Sequence, residues 1–311
     1  MSRPAHVKNV ESAESLESAE SLITRFMFEN LDICGAVVQL SGTWQQMHAG
    51  RDYAQQTRDL LGELAAVAAV IGSNLKTPGR ATFQAQGQKT GPISLLVVDC
   101  EQSGSGDQLL LRGMARSKGE VAAAPLHELL GDGKLLFSLQ TAAASTPYQS
   151  YVPLDGGSIA QVFEQFMSQS AQQPARLWLF ADGAQAAGLF LQTMPAREHA
   201  ATVDPDGWNR VQQLAATLQR QELQLPATTL LERLFSEDDL RVFAPIPVHY
   251  HCPRDEDKVR SMLISLGHQE VAGILAEYGE IVVRDDICNH EYRFGAEIIA
   301  ELFPSAGQTL H

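Results

Sequence analysis

The residues with the clearest chemical potential lie near the end of the sequence. Pro247-Val248-His249-Tyr250-His251-Cys252-Pro253 is answered by Arg284-Asp285-Asp286-Ile287-Cys288-Asn289-His290. Cys252 and Cys288 stand 36 positions apart, each in a short polar loop with a histidine close by. Three chemistries fit them. His249 or His251 with Cys252, and Cys288 with His290, would make a mixed nitrogen and sulfur zinc set, and Asp285 could lend an oxygen; a complete tetrahedral site shows four Cys or His in two tight pairs. A Cys252–Cys288 disulfide would remove on the order of 3–4 kcal/mol of chain entropy from the unfolded state. Two reduced thiols in a small packed module is the third reading. A thiolate beside an imidazole is also a nucleophile pattern, so a thiol- or zinc-dependent enzyme using Cys252 or Cys288 is the rival from another functional class.

Those loops need elements to hold them. Between them the pattern predicts a helical segment, Asp255 to Tyr278, and a strand, Glu280-Ile281-Val282-Val283. Val259, Met262, Leu263, Leu266, Ile274, Leu275, Ile281 and Val283 would be its interior, too little to make a large core. Upstream, Gln55 to Leu75 reads as one apolar helix, and Ser41-Gly42-Thr43 can cap a short helix containing Trp44. Strand signals follow at Ala81–Gln86, Ile93–Cys100, Leu109–Ala115, Leu135–Gln140, Tyr148–Val152, Arg176–Ala181 and Ala186–Thr193. A helix opened by the capping box Ser158-x-x-Gln161 interrupts them. Strands in runs with helices between them, without strict alternation, indicate an α+β class.

After Met194-Pro195 comes a polar hinge, Ala196 to Asp206, and then two amphipathic helices. Trp208, Val211, Leu214 and Leu218 mark the first. Leu230, Leu231, Leu234 and Phe235 mark the second, which Thr229-x-x-Glu232 should cap. The expected organisation is an acidic extension (1–21), a strand-rich core with packed helices (22–195), a helical linker (196–244), a small helix-strand module (245–303) and a tail (304–311). The extension repeats Glu-Ser-Ala-Glu-Ser-Leu twice from Glu11 to Leu22 and reads as a solvated segment.

Several segments together carry a family resemblance. Arg25-Phe26-Met27-Phe28-Glu29-Asn30, Gly91-Pro92 with Leu95-Leu96-Val97-Val98, Leu111-Arg112-Gly113-Met114-Ala115-Arg116 and Leu189-Phe190-Leu191-Gln192-Thr193-Met194-Pro195 occur in order, with Glu280-Ile281 before the second cysteine loop. Over about residues 22–303 the chain resembles the 33-kDa redox-regulated heat-shock chaperones, bacterial holdases of oxidative stress. The resemblance implies an ATP-independent holdase for unfolded or aggregation-prone clients. It also implies a homodimer when active, and a linker that unfolds to expose Trp208, Val211, Leu214, Leu218, Leu230, Leu231, Leu234 and Phe235. The family's switch is a Cys-x-Cys and a Cys-x-x-Cys that hold zinc when reduced and form two disulfides when oxidised. Here the corresponding positions read Tyr250-His251-Cys252 and Asp285-Asp286-Ile287-Cys288, so one thiol of each pair is replaced. Neither within-pair disulfide can form. The expected consequences are weakened or altered redox control and a zinc site that is absent or weakly held.

Composition agrees with a globular protein. Length 311, 44% hydrophobic and 19% charged residues allow two domains and a sizeable core. A net charge of −14 argues against a nucleic-acid partner, because phosphate contacts need a basic face. Four cysteines are too few for a disulfide scaffold, and no basic-then-apolar segment opens the sequence, so a cytoplasmic location is expected. The longest uncharged run of the first long helix, Leu64 to Asn74, is too short to span a bilayer. Cys34 and Cys100 fall in apolar surroundings and read as inert packing thiols. His48, His127 and His199 lack patterned partners, Arg112 and Arg116 fit a structural ion pair or an exposed face, and no catalytic fingerprint is present; a non-enzyme is expected.

Overall fold

The computed structural model describes residues 8–9, 20–154, 156–195 and 204–304. Nearly all of the acidic repeat and most of the 196–206 hinge therefore lie outside the described residues. The chain divides into two compact units, one through His251 and one from Cys252.

In the larger unit, β1 (Lys8–Asn9), β2 (Leu22–Phe28), β3 (Ile33–Leu40), β4 (Gly79–Gln86), β5 (Ile93–Gln102), β6 (Leu109–Ser117), β7 (Lys134–Thr141), β8 (Tyr148–Val152), β9 (Ala175–Ala181), β10 (Ala186–Thr193), β11 (Leu240–Val242) and β12 (Ile246–Tyr250) form one twelve-stranded sheet. Its order is β8-β7-β4-β5-β6-β12-β2-β3-β10-β9, with β11 also on β2 and β1 on β11. All pairings are antiparallel except β12 on β6 and β1 on β11, which agrees with the expected α+β class. The seven strands expected between Ala81 and Thr193 are present with small shifts at their ends. β3 loses the alternation that marks a half-exposed strand because it is apolar on both sides; continuous apolar runs do not distinguish a buried strand from a buried helix.

Both faces of the sheet are covered. On one face lie α1 (Gly42–His48), α2 (Gln55–Ser73) and α4 (Ile159–Ala171), and α3 (Leu126–Leu130) contributes to the same core. α2 is rich in alanine and leucine, good helix formers, and is buried along most of its length. Small residues let it approach: a Cβ on Gly72 would stand 2.4 Å from Cys100 Sγ. In α4 the Ser158 hydroxyl accepts from the Gln161 N–H at 3.3 Å, and the Gln161 side chain accepts from Gly157 at 2.8 Å, one residue earlier than an ideal capping box. The expected Ser41 cap is not made. The first turn of α1 is satisfied from elsewhere in the fold: Thr43 N–H donates to Ser21 Oγ at 3.0 Å, and the Thr43 hydroxyl donates to the Val248 carbonyl at 2.6 Å.

The segment around His249, expected as a polar loop, is instead the central strand β12. Val248 is buried while Ile246 and Tyr250 pack against the main core, so the apolar side chains alternate even though proline and histidine stand between them. Pro247 is tolerated because the strand changes partners there: Ile246 and Pro247 pair with β2, and Val248 to Tyr250 pair with β6.

The smaller unit contains α7 (Glu256–Leu266), α8 (His268–Tyr278), the hairpin strands β13 (Ile281–Arg284) and β14 (Glu291–Phe294), and α9 (Glu297–Leu302). The single helix expected from Asp255 to Tyr278 is broken at Gly267, whose φ of 89° belongs to a region favouring glycine. Val259, Leu263, Val271, Ile281, Tyr292, Phe294 and Ile298 make its core. Met262 and Leu266, expected inside, are 42% and 48% exposed, because the side of α7 turned to the core is a narrow stripe of Val259 and Leu263.

One acidic group lies against the larger core. Burial first, and the neighbouring Asp59 charge second, push the Glu63 carboxyl on α2 up to about 7 from an ordinary 4.5. A folded-state value above the unfolded one means that the native state holds the extra proton between those two values. Stability is therefore expected to fall as pH rises from 4.5 to 7 and to change little above. Denaturant melts should show Glu63→Gln more stable than wild type at pH 8, with a flatter profile through that window.

Candidate functional site

The linker segment is built as cover for a sheet face. α5 (Gly207–Ala215), a 3-10 turn (Arg220–Gln224) and α6 (Ala227–Leu234) lie over the side of the sheet opposite α2. α6 opens at Ala227 after Pro226, so Thr229 sits inside the helix and does not cap it. The reciprocal cap is found earlier, on the 3-10 turn, where Gln219 and Glu222 satisfy each other's backbone groups. Val211, Leu230, Leu231, Leu234 and Phe235 are fully or almost fully buried, and Trp208, Leu214 and Leu218 pack partly buried around them. Their counterparts are Phe26, Phe28, Ile33, Val37, Ala187, Leu189 and Leu191 on β2, β3 and β10. Phe235 stands 5.1 Å from Phe28 and 6.2 Å from Phe26, centroid to centroid, in tilted and edge-on arrangements that aromatic rings favour.

Polar clasps fasten this cover at its ends. The Gln39 side-chain amide donates to the carbonyls of Leu223 and Leu225 at 2.7 and 2.8 Å. Arg210 bridges Asp204 at 3.1 Å and Asp238 at 2.7 Å, and those carboxylates hold the guanidinium firmly protonated. Arg220 pairs with Asp182 at 2.9 Å and stacks over the Phe180 ring at 3.8 Å. Desolvation pushes the Asp182 carboxyl up, but the amides of Gln185 and Ala184 together with Arg220 bring it below its ordinary value. Arg176 joins Glu164 of α4 to Gln212 of α5, both at 2.8 Å. These clasp residues are not legible in sequence, because apart from Asp204 beside Arg210 their partners lie far along the chain, and charge pairs across a tertiary contact leave no local pattern.

In the smaller unit, Cys252 and Cys288 stand at disulfide distance, with Cα atoms 5.7 Å apart. Cys288 is 7% exposed. The turn that carries it is closed by Asp285, whose Oδ1 accepts from the N–H groups of Ile287 at 2.8 Å and Cys288 at 3.1 Å. Asp255 N–H donates to the Tyr292 hydroxyl at 2.9 Å, and the Asp255 side chain caps α7.

The six residues proposed as metal donors are divided between the units. His249 and His251 are exposed at the end of β12, in the larger unit; Cys252, Asp285, Cys288 and His290 belong to the smaller one. His290 Nδ1 is buried without a hydrogen-bond partner. Among the described residues, no three His, Cys, Asp or Glu side chains gather as a metal would require. As arranged here the donor set does not form a zinc site: the two sulfurs pair with each other, and Oδ1 of Asp285 accepts from two amides. Cys100 is buried and its thiol is pushed up by desolvation and by the charges of Asp99 and Glu101; desolvation likewise raises Cys34. Both are free thiols. Arg112 makes a half-buried ion pair with Asp99 at 2.9 Å, and Thr82 supports that carboxylate at 2.6 Å.

A large sheet with a docked helical cover, followed by a small unit carrying a thiol pair, defines a two-unit α+β protein in which concealed apolar surface and paired thiols are the notable chemistry. A family model described as Hsp33 protein matches residues 21–295. The 33 kDa chaperonin of Methylobacillus flagellatus is 40% identical over 281 residues, covering 90% of this chain and 93% of that protein. The 33 kDa chaperonin of Nitrosococcus oceani is 36% identical over 280 residues, covering 90% and 93%. The crystal structure of a 33 kDa chaperonin, an Hsp33 homolog from Thermotoga maritima, superposes with a TM-score of 0.75 at 22% identity, covering 92% of this chain and 98% of that one. The chain belongs to the Hsp33 family, and membership supports a chaperone function.

Removing the Gln39 clasp should loosen the cover without touching its core. Hydrogen exchange of Gln39→Ala is expected to show roughly ten-fold weaker protection of the amides of α6, from two lost hydrogen bonds, while α2 stays as protected as in wild type.

Proposed function

We propose that the chain is an ATP-independent holdase that binds unfolding, aggregation-prone proteins during heat and oxidative stress. One observation supports this reading above others: the linker and the strand face beneath it share a single apolar core. Undocking would uncover both surfaces together, and apolar surface binds unfolded chains without nucleotide chemistry. Trp208, Val211, Leu214, Leu218, Leu230, Leu231, Leu234 and Phe235 are the client-binding residues in this proposal, hidden while docked. The protein acts in the cytoplasm, as a homodimer when active, with no nucleic-acid or membrane partner. Among the described residues no helix is long and apolar enough to cross a membrane.

Its redox control rests on a single bond. Cys252 and Cys288 give up two protons and two electrons to a peroxide, which leaves as water, and one disulfide results. An enzyme built on either thiol has less support, since Cys288 is 7% exposed and the partly exposed Cys252 stands at disulfide distance from it.

Light scattering of a heat-stressed client with wild type and the Cys252→Ser/Cys288→Ser variant, each with and without peroxide, tests both levels of the proposal. Peroxide should strengthen suppression of aggregation by wild type alone. Coincident curves would remove the one-bond switch and leave heat-driven undocking in control. Failure of every sample to protect the client would remove the holdase reading itself.

A further inference from the structure

We propose that the smaller unit closes its cysteine turn without a metal, and that Asp285 is the residue that makes this possible. The inference concerns how this unit folds and holds whether or not the linker binds clients.

The turn from Asp285 to His290 is closed by four hydrogen bonds of its own. Oδ1 of Asp285 takes the N–H groups of Ile287 at 2.8 Å and Cys288 at 3.1 Å. The Asp285 carbonyl takes the Asn289 N–H at 2.8 Å, and the Asp285 N–H donates to the His290 carbonyl at 2.8 Å. Asn289 supplies the reversal, with φ at 57° in the left-handed region that asparagine tolerates better than most residues. Two amides converging on one point need an acceptor that concentrates negative charge. A metal-bound thiolate meets that need in zinc knuckles; a carboxylate meets it directly, through charge-assisted bonds.

The remaining ties are also free of metal. The Cys252–Cys288 pair joins the start of the unit to the turn. Asp255 fastens the residues after Cys252 to β14 through the Tyr292 hydroxyl and at the same time caps α7. Behind these ties lies a continuous apolar core from Val259 to Ile298. His290 Nδ1 is the buried side-chain nitrogen of the turn lacking a partner among the described residues, and His290 does not gather with the two cysteines into the group of donors that a tetrahedral cradle needs.

The test uses the full chain, reduced, with and without a strong chelator, read by metal analysis and by hydrogen exchange across β13, the turn and β14. Wild type is expected to carry no stoichiometric metal and to keep its protection within about twofold when chelator is added. Asp285→Ala should lose roughly 10- to 100-fold protection at Ile287, Cys288 and the hairpin, having left two amides without an acceptor. Asp285→Asn keeps an acceptor oxygen without its charge and should fall between wild type and Asp285→Ala, which preserves a readout even where the alanine variant unfolds the unit. One zinc per chain whose removal collapses protection in wild type would overturn the proposal. So would an Asp285→Ala profile that matches wild type in chelator.

Discussion

The constraint on which the larger unit depends is that β3 and β10 are apolar on both faces. On β10, Ala186 and Phe190 point to the α2 side while Ala187, Leu189 and Leu191 point to the other, and on β3 Ala36, Val38 and Leu40 oppose Ile33 and Val37. A strand with one wet face can be served by a single layer of helices. These strands cannot, so a second layer is obligatory, and α5, the 3-10 turn and α6 provide it. The helix α2 is long, rich in alanine and buried along most of its length. The second layer consists of an α-helix of nine residues, a short turn and an α-helix of eight, lengths at which an isolated helix has little stability of its own.

That asymmetry gives the linker its chemical meaning. Its hold on the sheet combines burial of Phe235 and the leucines with side-chain clasps at Gln39, Arg220 and Arg176, while Arg210 ties Asp204 to Asp238 within the linker itself. Burial is cooperative and weakens when one helix lifts, whereas each clasp is a discrete bond at the partly exposed margin. The inner face of the cover and the strand face beneath it are both apolar. In the function proposed above, these are the surfaces that undocking would offer to a client.

The smaller unit solves a different problem. Its core of Val259, Leu263, Val271, Ile281, Tyr292, Phe294 and Ile298 is small, and small cores depend on extra ties. Exposed ion pairs such as Arg260 with Glu301 and Arg293 with Glu280 contribute little each in water. The ties that bear on the fold are the paired cysteines, the Asp285 turn and the Asp255–Tyr292 contact, all of which meet at the end of the unit where the thiols lie. The four cysteines thus form two populations. Cys34 and Cys100 have thiols raised by burial, and Cys252 and Cys288 are placed to react with each other.

Much was already written in local pattern. The Ala81–Thr193 strands, the Gln55 helix, the Ser158 cap and the two amphipathic linker helices were legible because period and capping chemistry act over a few neighbouring residues. So was the pairing potential of Cys252 and Cys288, and the family resemblance, which rests on many collinear segments. Tertiary structure decided the rest. It made Pro247 to Tyr250 a central strand because β2 and β6 offered partners on either side, and it turned Tyr250 toward the main core. It broke the expected long helix at Gly267, replaced the Ser41 cap with Ser21, which stands just before β2, and distributed the six metal candidates so that no three converge. In each case the deciding partner lies beyond the reach of local sequence, since a hydrogen-bond acceptor, a facing strand or a second ligand is supplied only once the chain has folded back on itself.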